Sequence, residues 1–244
     1  MCGISAVYGE YAPIKAMQIV LNQLERGTKG CGVAYMCNGK LEVVKEPIDP
    51  ISFIDKHYYE LDVNANVAIA HNRQPSVGRV CYENTHPFID CHKRFALAHN
   101  GHCFIVGADL TGHKIYGETD SERITHVLEE FYDDSGDMLT AIGRLLKSYL
   151  RGAIVVLTRD GELYAGKADY APLHYAICSG EVYIGSTERA VRAALRLAGA
   201  NRESVSSLES GEVIRVKKNG EAELYRVVIK IKERHPYDWF SWDW

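Results

Sequence analysis

No apolar run in the 244 residues approaches the roughly 18 needed to span a bilayer, and the N-terminus lacks the basic and apolar segments of a secretory leader. Basic charge is not clustered either. The 28 Lys and Arg are scattered among 32 Asp and Glu, with a net charge of -4 and an isoelectric point near 6.2, so neither nucleic acid nor a membrane has an electrostatic footprint to bind. The seven cysteines form an odd set without regular spacing, in a chain long enough to bury a core without staples. That usage excludes a disulfide scaffold and predicts a reducing, cytoplasmic setting. P-loop, GxGxxG and GxSxG motifs are all missing, which predicts no cofactor. Cys81, His86, Cys91, His92, His99, His102 and Cys103 offer many ligand atoms, but none falls in a CxxC or HExxH pair, so no metal is expected. No Ser/Pro/Gly-rich linker or repeat divides the chain. The expected organisation is one domain over 1–234 and an aromatic tail over 235–244.

What is present reads as antiparallel sheet with helices between. Runs such as "CGVAYMCNGKLEVV", "GAIVVLTRDGELYAG", "LHYAICSGEVYIGS" and "GEVIRVKKNGEAELYRV" carry NG, DG or SG between alternating apolar residues, the strongest local hairpin signal. Helical periodicity marks "PIKAMQIVLNQLERG", "DSERITHVLEEFYDD", "DMLTAIGRLLKSYL" and "TERAVRAALRLAG", each with one apolar face. Strands toward both ends with helices inserted predict an α+β layering rather than a βαβ winding. Residues 75–93 read as one long loop, a length uncommon without a function. The tail holds Trp239, Trp242 and Trp244 with Tyr237 and Phe240; the expectation is that it packs on its own domain, the alternative a partner.

Four constellations carry candidate chemistry. Cys2 becomes the first residue if Met1 is removed, and an α-amine titrating near ~7.7 to 8.0 can then take the proton of a thiol whose pKa is near ~8.5. Taken alone, Cys2 reads instead as an accidental small hydrophobe before a strand. The phrases "IAHNRQ" and "LAHNGH" place polar residues at the ends of apolar strands. Arg73 can clamp a carboxylate or be a surface charge. Asn100 and the Gly101 N–H can stabilise an oxyanion or form an ordinary turn. Asp120, in "GETDSERI", can bind an ammonium or cap a helix.

In order along the chain, "MCGI", "LERGTKGCGVAY", "AHNRQPSVGRVCYENTHPF", "ALAHNG" and "GETDSERI" resemble the glutaminase domain of class II glutamine amidotransferases, which are N-terminal nucleophile hydrolases. The spellings are closest to the glucosamine-6-phosphate synthase and amidophosphoribosyltransferase type. The resemblance implies a four-layer αββα sandwich of two antiparallel sheets flanked by helices. It also implies roles: Cys2 as nucleophile with its own α-amine as base, Asn100 and Gly101 at the oxyanion, and Arg73, Ser76, Gly101 and Asp120 around the substrate L-glutamine. The sequence departs from the pattern in having Gln74-Pro75 after the arginine and Ser76 in place of threonine. Family members join this domain to a synthase half that the sequence lacks. The expectation is therefore a free-standing glutaminase subunit passing ammonia to a separate synthase, with homo-oligomerisation left open. An amidase acting on another amide and a silent glutamine-binding module are the alternatives.

Overall fold

The structure is a computed structural model that describes residues 1–103, 105, 108–200 and 203–227. The aromatic tail and the expectation for its packing lie outside the described residues. In chain order the elements are β1 (Gly3–Tyr8), α1 (Ala12–Leu21), β2 (Cys31–Cys37), β3 (Lys40–Glu46), α2 (Pro50–His57), β4 (Val67–Asn72), β5 (Phe88–Ile89) and β6 (Phe95–Cys103). There follow α3 (Asp120–Ser135), α4 (Met138–Ser148), β7 (Leu150–Thr158), β8 (Leu163–Ala168), β9 (His174–Cys178), β10 (Glu181–Gly185), α5 (Glu188–Leu197), β11 (Ser206–Ser207), β12 (Glu212–Val216) and β13 (Ala222–Arg226).

The strands form two antiparallel sheets, in the orders β11-β9-β10-β1-β4-β2-β3 and β13-β12-β8-β7-β6-β5. Three apolar layers hold them together. Helices α1 and α5 cover the outer face of the first sheet through Ala16, Ile19, Val20, Val191 and Leu195. Helices α3 and α4 cover the outer face of the second through Ile124, Leu128, Ile142 and Leu146. Between the sheets lie Ile4, Ala6, Ile69, Ala96, Ala98, Ala153 and Val155, whose small size lets the two inner faces approach. The result is the expected αββα sandwich.

Local chemistry explains most boundaries. Asn38 and Gly39, at φ 50° and 75°, make the β2–β3 hairpin turn, and Ser179 and Gly180, at 51° and 81°, make the β9–β10 turn. Both central residues have the positive φ that a type I′ turn requires. Helix α2 escapes the periodicity reading because it is only two turns long. Its signal is instead Asp49-Pro50, with the Asp49 carboxylate accepting the Ile51 and Ser52 N–H groups at 3.0 Å and proline at the first helical position. The long loop is shorter than expected. Phe88 and Ile89 pair with Leu97 and Ala96, and Asp90 closes the next turn by accepting the Arg94 and Phe95 N–H groups at 2.5 and 3.1 Å. Irregular chain is confined to 73–87. No helix among the described residues is long and apolar enough to cross a membrane.

Candidate active site

Strand alternation decides which side chains can meet. On β1, β4 and β6 the residues facing the inter-sheet core are Ile4 and Ala6, Val67 and Ile69, and Ala96 and Ala98. Continuing the two-residue period carries Cys2, His71, Arg73 and Asn100 to the same inner side at the strand ends. β1 and β4 run beside each other, with Gly3 opposite Asn72, and both pack across on β6. Residues 70 to 100 positions apart in sequence thus share one end of the sandwich.

Cys2 is half-buried, and Met1 before it is 69% exposed. Its Sγ accepts the Gln74 N–H at 3.3 Å and lies 3.4 Å from the Gln74 carbonyl oxygen, to which it can donate. Burial pushes the thiol pKa up; the Gln74 backbone bond, the N-terminal ammonium, Arg73 and Arg26 pull the other way. A thiol so placed needs a base, and while Met1 is attached the nitrogen of Cys2 is a peptide N–H. Arg26 holds Cys2 from behind, its Nε donating to the Cys2 carbonyl at 2.7 Å. Gly27, next in the chain, lets the exit of β4 pass. A Cβ there would sit 2.4 Å from the Arg73 carbonyl carbon and 2.6 Å from the Gln74 nitrogen. Asn72 seals this junction by donating its amide to the carbonyls of Gln23 and Gly27 at 3.1 and 2.9 Å.

Arg73 is 2% exposed and its guanidinium donates to the carbonyls of Arg79 at 2.8 Å and Val77 at 2.9 Å. None of these partners is an anion, and among the described residues Arg73 makes no ion pair. Carbonyl dipoles are its direct partners, and the Glu118 carboxylate acts on it from beyond ion-pair distance. Ser76 lies exposed in the same loop.

On the other sheet Asn100 is 3% exposed, and its Nδ2 has no hydrogen-bond partner. Such an unpaired buried donor destabilises a fold by about 1–3 kcal/mol, and is accordingly rare without a functional reason. Gly101 faces Gly152 across the β6–β7 ladder, and a Cβ at Gly101 would lie 2.0 Å from the Arg151 carbonyl oxygen. Only glycine allows that approach.

Asp120 opens α3, but the helix cap is Thr119, whose hydroxyl accepts the Glu122 N–H at 3.3 Å. The capping reading of Asp120 is therefore corrected. Its carboxylate instead accepts the Cys103 N–H at 2.8 Å, which ties it to the end of β6 just beyond Asn100 and Gly101. A polar chain then joins the two halves of the site. Arg73 holds the Arg79 carbonyl, the Arg79 N–H donates to Glu118 at 2.9 Å, and Glu118 precedes the cap of α3 by one residue. Asn84 braces this junction, donating to the Arg79 carbonyl at 3.1 Å and accepting the Glu118 N–H at 2.8 Å.

Buried histidines occupy the space between. His71 stacks on His86 at 3.9 Å, and the ring nitrogens of both have no partner. Burial draws the pKa of His71 down to about 3 and of His99 to about 4; Asp120 opposes the shift at His99. Both are neutral near pH 7. Arg26, Asn72 and Glu118 brace the candidate residues through hydrogen bonds and His71 stacks on His86 beneath them, roles that their positions within the quoted motifs do not disclose. The signal available was the spelling "LERG", whose Arg and Gly serve the backbone of residues 24 and 46 positions away.

Comparison with known proteins identifies the family and the fold. Residues 17–183 match the family model for class-II glutamine amidotransferases. The glutamine–fructose-6-phosphate aminotransferase (isomerizing) of Thermotoga maritima is 29% identical over the whole of this chain, which spans 39% of that protein. Among solved structures, the glutamine phosphoribosylpyrophosphate amidotransferase of B. subtilis superposes with a TM-score of 0.69 at 20% identity, covering 94% of this chain and 50% of its own. A predicted glutamine amidotransferase from Pseudomonas aeruginosa superposes with a TM-score of 0.56 at 18% identity, covering 91% and 98%. The chain thus spans about two fifths or less of the curated relatives, 32% to 40% in the cases compared. With the family model covering most of its length, the chain belongs to the class-II glutamine amidotransferases.

Proposed function

We propose that the protein hydrolyses the side-chain amide of L-glutamine to glutamate and ammonia through a thioester on Cys2. The observation that carries this reading is the unpartnered, buried Nδ2 of Asn100 on the same inner side as the Cys2 thiol, in a class-II amidotransferase chain. Once Met1 is removed, the free α-amine of Cys2 takes the thiol proton, and the thiolate attacks the amide carbon. Asn100 Nδ2 and the Gly101 N–H stabilise the oxyanion. The α-amine returns the proton to the leaving nitrogen, ammonia departs, and water attacks the thioester to release glutamate and restore the thiol. Arg73 takes the substrate α-carboxylate with help from the Ser76 loop, while Asp120 and the Gly101 carbonyl take the α-ammonium. The zwitterion is thereby held at both ends.

The Thermotoga maritima relative, named as a glutamine–fructose-6-phosphate aminotransferase, is more than twice as long as this chain. We extend the reading: the ammonia released passes to an acceptor on a synthase partner in the cytoplasm. All described cysteines are free thiols, which supports a reducing setting.

The test uses the full chain with its N-terminus verified by intact mass. Glutamine turnover is expected from the chain that begins at Cys2, and is expected to vanish in Cys2→Ala and in a chain that keeps Met1. Turnover undiminished in Cys2→Ala would overturn the reading. Preserved affinity for glutamine in Arg73→Ala would redirect it to another amide.

A further inference from the structure

On the outer side of the second sheet, away from Cys2, four lone-pair donors converge: Cys91 Sγ, His113 Nδ1, His126 Nδ1 and a Glu129 carboxylate oxygen, all within 4.8 Å of one another. Cys91 comes from the turn after β5, His113 from the connection before α3, and His126 and Glu129 from one face of α3. Sγ lies 3.5 Å from His113 Nδ1 and 3.7 Å from His126 Nδ1. Glu129 Oε2 lies 3.1 Å from His113 Nδ1 and 3.0 Å from His126 Nδ1. A tetrahedral zinc ion with Zn–S of about 2.3 Å and Zn–N and Zn–O near 2.0–2.1 Å sets S···N edges of roughly 3.6 Å and N···O edges of roughly 3.3 Å. The observed edges fit that polyhedron.

A second observation is independent of the distances. His113 Nε2 lies 2.7 Å from Glu130 Oε1. A carboxylate on the remote nitrogen takes the ring proton there and turns the unprotonated Nδ1 inward, the usual outer support of a metal-bound histidine. With Nδ1 unprotonated, its lone pair faces a carboxylate oxygen, which a cation between them resolves. The Cys91 N–H is shared between the two Glu129 oxygens, at 3.1 Å from Oε1 and 3.2 Å from Oε2, and Arg94 adds a contact to Oε1 at 3.5 Å, so Oε1 carries the outward contacts while Oε2 faces the two imidazoles. The donor set, one sulfur, two imidazoles and one carboxylate, suits Zn²⁺ rather than Ca²⁺ or Mg²⁺.

We propose that Cys91, His113, His126 and Glu129 form a structural zinc site. The ion clips the turn after β5 and the 108–119 connection onto α3, the helix that presents Asp120. Four protein ligands leave no open position, so the site holds the fold together and takes no part in the reaction.

The test is Co²⁺ and Zn²⁺ binding to the full chain after chelation and dialysis. One Co²⁺ per chain is expected, with the intense visible bands of a tetrahedral ion and a thiolate-to-cobalt charge-transfer band in the near ultraviolet; Zn²⁺ displaces it and raises Tm. Cys91→Ser removes the charge-transfer band, whereas Cys2→Ala keeps it. Glu130→Gln, at an exposed position, weakens binding about 10- to 100-fold. His126 and Glu129 are buried and their variants risk misfolding, so the surface variants decide the matter. Failure to bind a stoichiometric metal, retention of the band in Cys91→Ser, or its loss in Cys103→Ser with retention in Cys91→Ser would each overturn the proposal.

Discussion

Asn100 separates two quantities that usually move together. Its unpaired amide destabilises the folded state, while the oxyanion it would meet in the transition state supplies the missing partner. Asn100→Ala is therefore expected to lower kcat by about 10²- to 10³-fold, or roughly 3–4 kcal/mol, with little change in KM. The same substitution leaves Tm unchanged or raises it. Steady-state kinetics and calorimetry on one preparation check both signs, and a loss of Tm alongside kcat would make Asn100 a packing residue. Arg26 works through its neighbour: its guanidinium holds the Cys2 carbonyl, so in the proposed mechanism it positions the nucleophile.

At the scale of elements, the site depends on a loop that makes few regular contacts of its own. The 73–87 segment is held from inside by Arg73 and Asn84 and from the α3 side by Glu118. Glu118→Ala is expected to raise KM for glutamine about tenfold while leaving kcat within about twofold, because it frees the loop and spares the reacting groups. Equal losses in kcat and kcat/KM would contradict that assignment. These elements differ in how far the sequence discloses them. The hairpins at Asn38-Gly39 and Ser179-Gly180 were legible because positive φ demands particular residues. The longer helices were legible from period, and the layering followed from their apolar faces. Helix α2 was hidden by its shortness, and β5 by having two residues. The Cys91, His113, His126 and Glu129 cluster was hidden for another reason: its members come from three separate segments, so only the i, i+3 pair His126 and Glu129 has a local spacing, and that pair reads as any helical surface. Cys2, Arg73, Asn100, Gly101 and Asp120 became legible through their order along the chain, not through any one of them.

For the molecule as a whole, the buried histidines set how stability responds to acid. His71 and His99 are neutral when folded, with pKa near 3 and 4, while in the unfolded chain they titrate near ~6.5. Below pH ~6.5 the unfolded chain binds more protons than the folded one, so this contribution is complete above that value and is lost as pH falls toward the folded-state values. Urea unfolding from pH 7.5 down to about 4 is expected to show falling stability across that window, with a smaller fall in His99→Gln. A flat profile would mean that these rings are already charged or solvated.

The position of β1 has a consequence for how the protein is made. The strand that begins beside Cys2 lies inside its sheet between β4 and β10, and Ser186 seals its start by accepting the Ile4 N–H at 2.9 Å. One of those neighbours follows within the first third of the chain; the other is the strand before Ser186, and the Ile4–Ser186 bond spans 182 positions. During synthesis the N-terminus is the earliest part to emerge and among the last to be walled in. Removal of Met1, which the proposed mechanism requires, has most of that interval in which to act, and the cysteine acquires its second flanking strand only after three quarters of the chain has followed it.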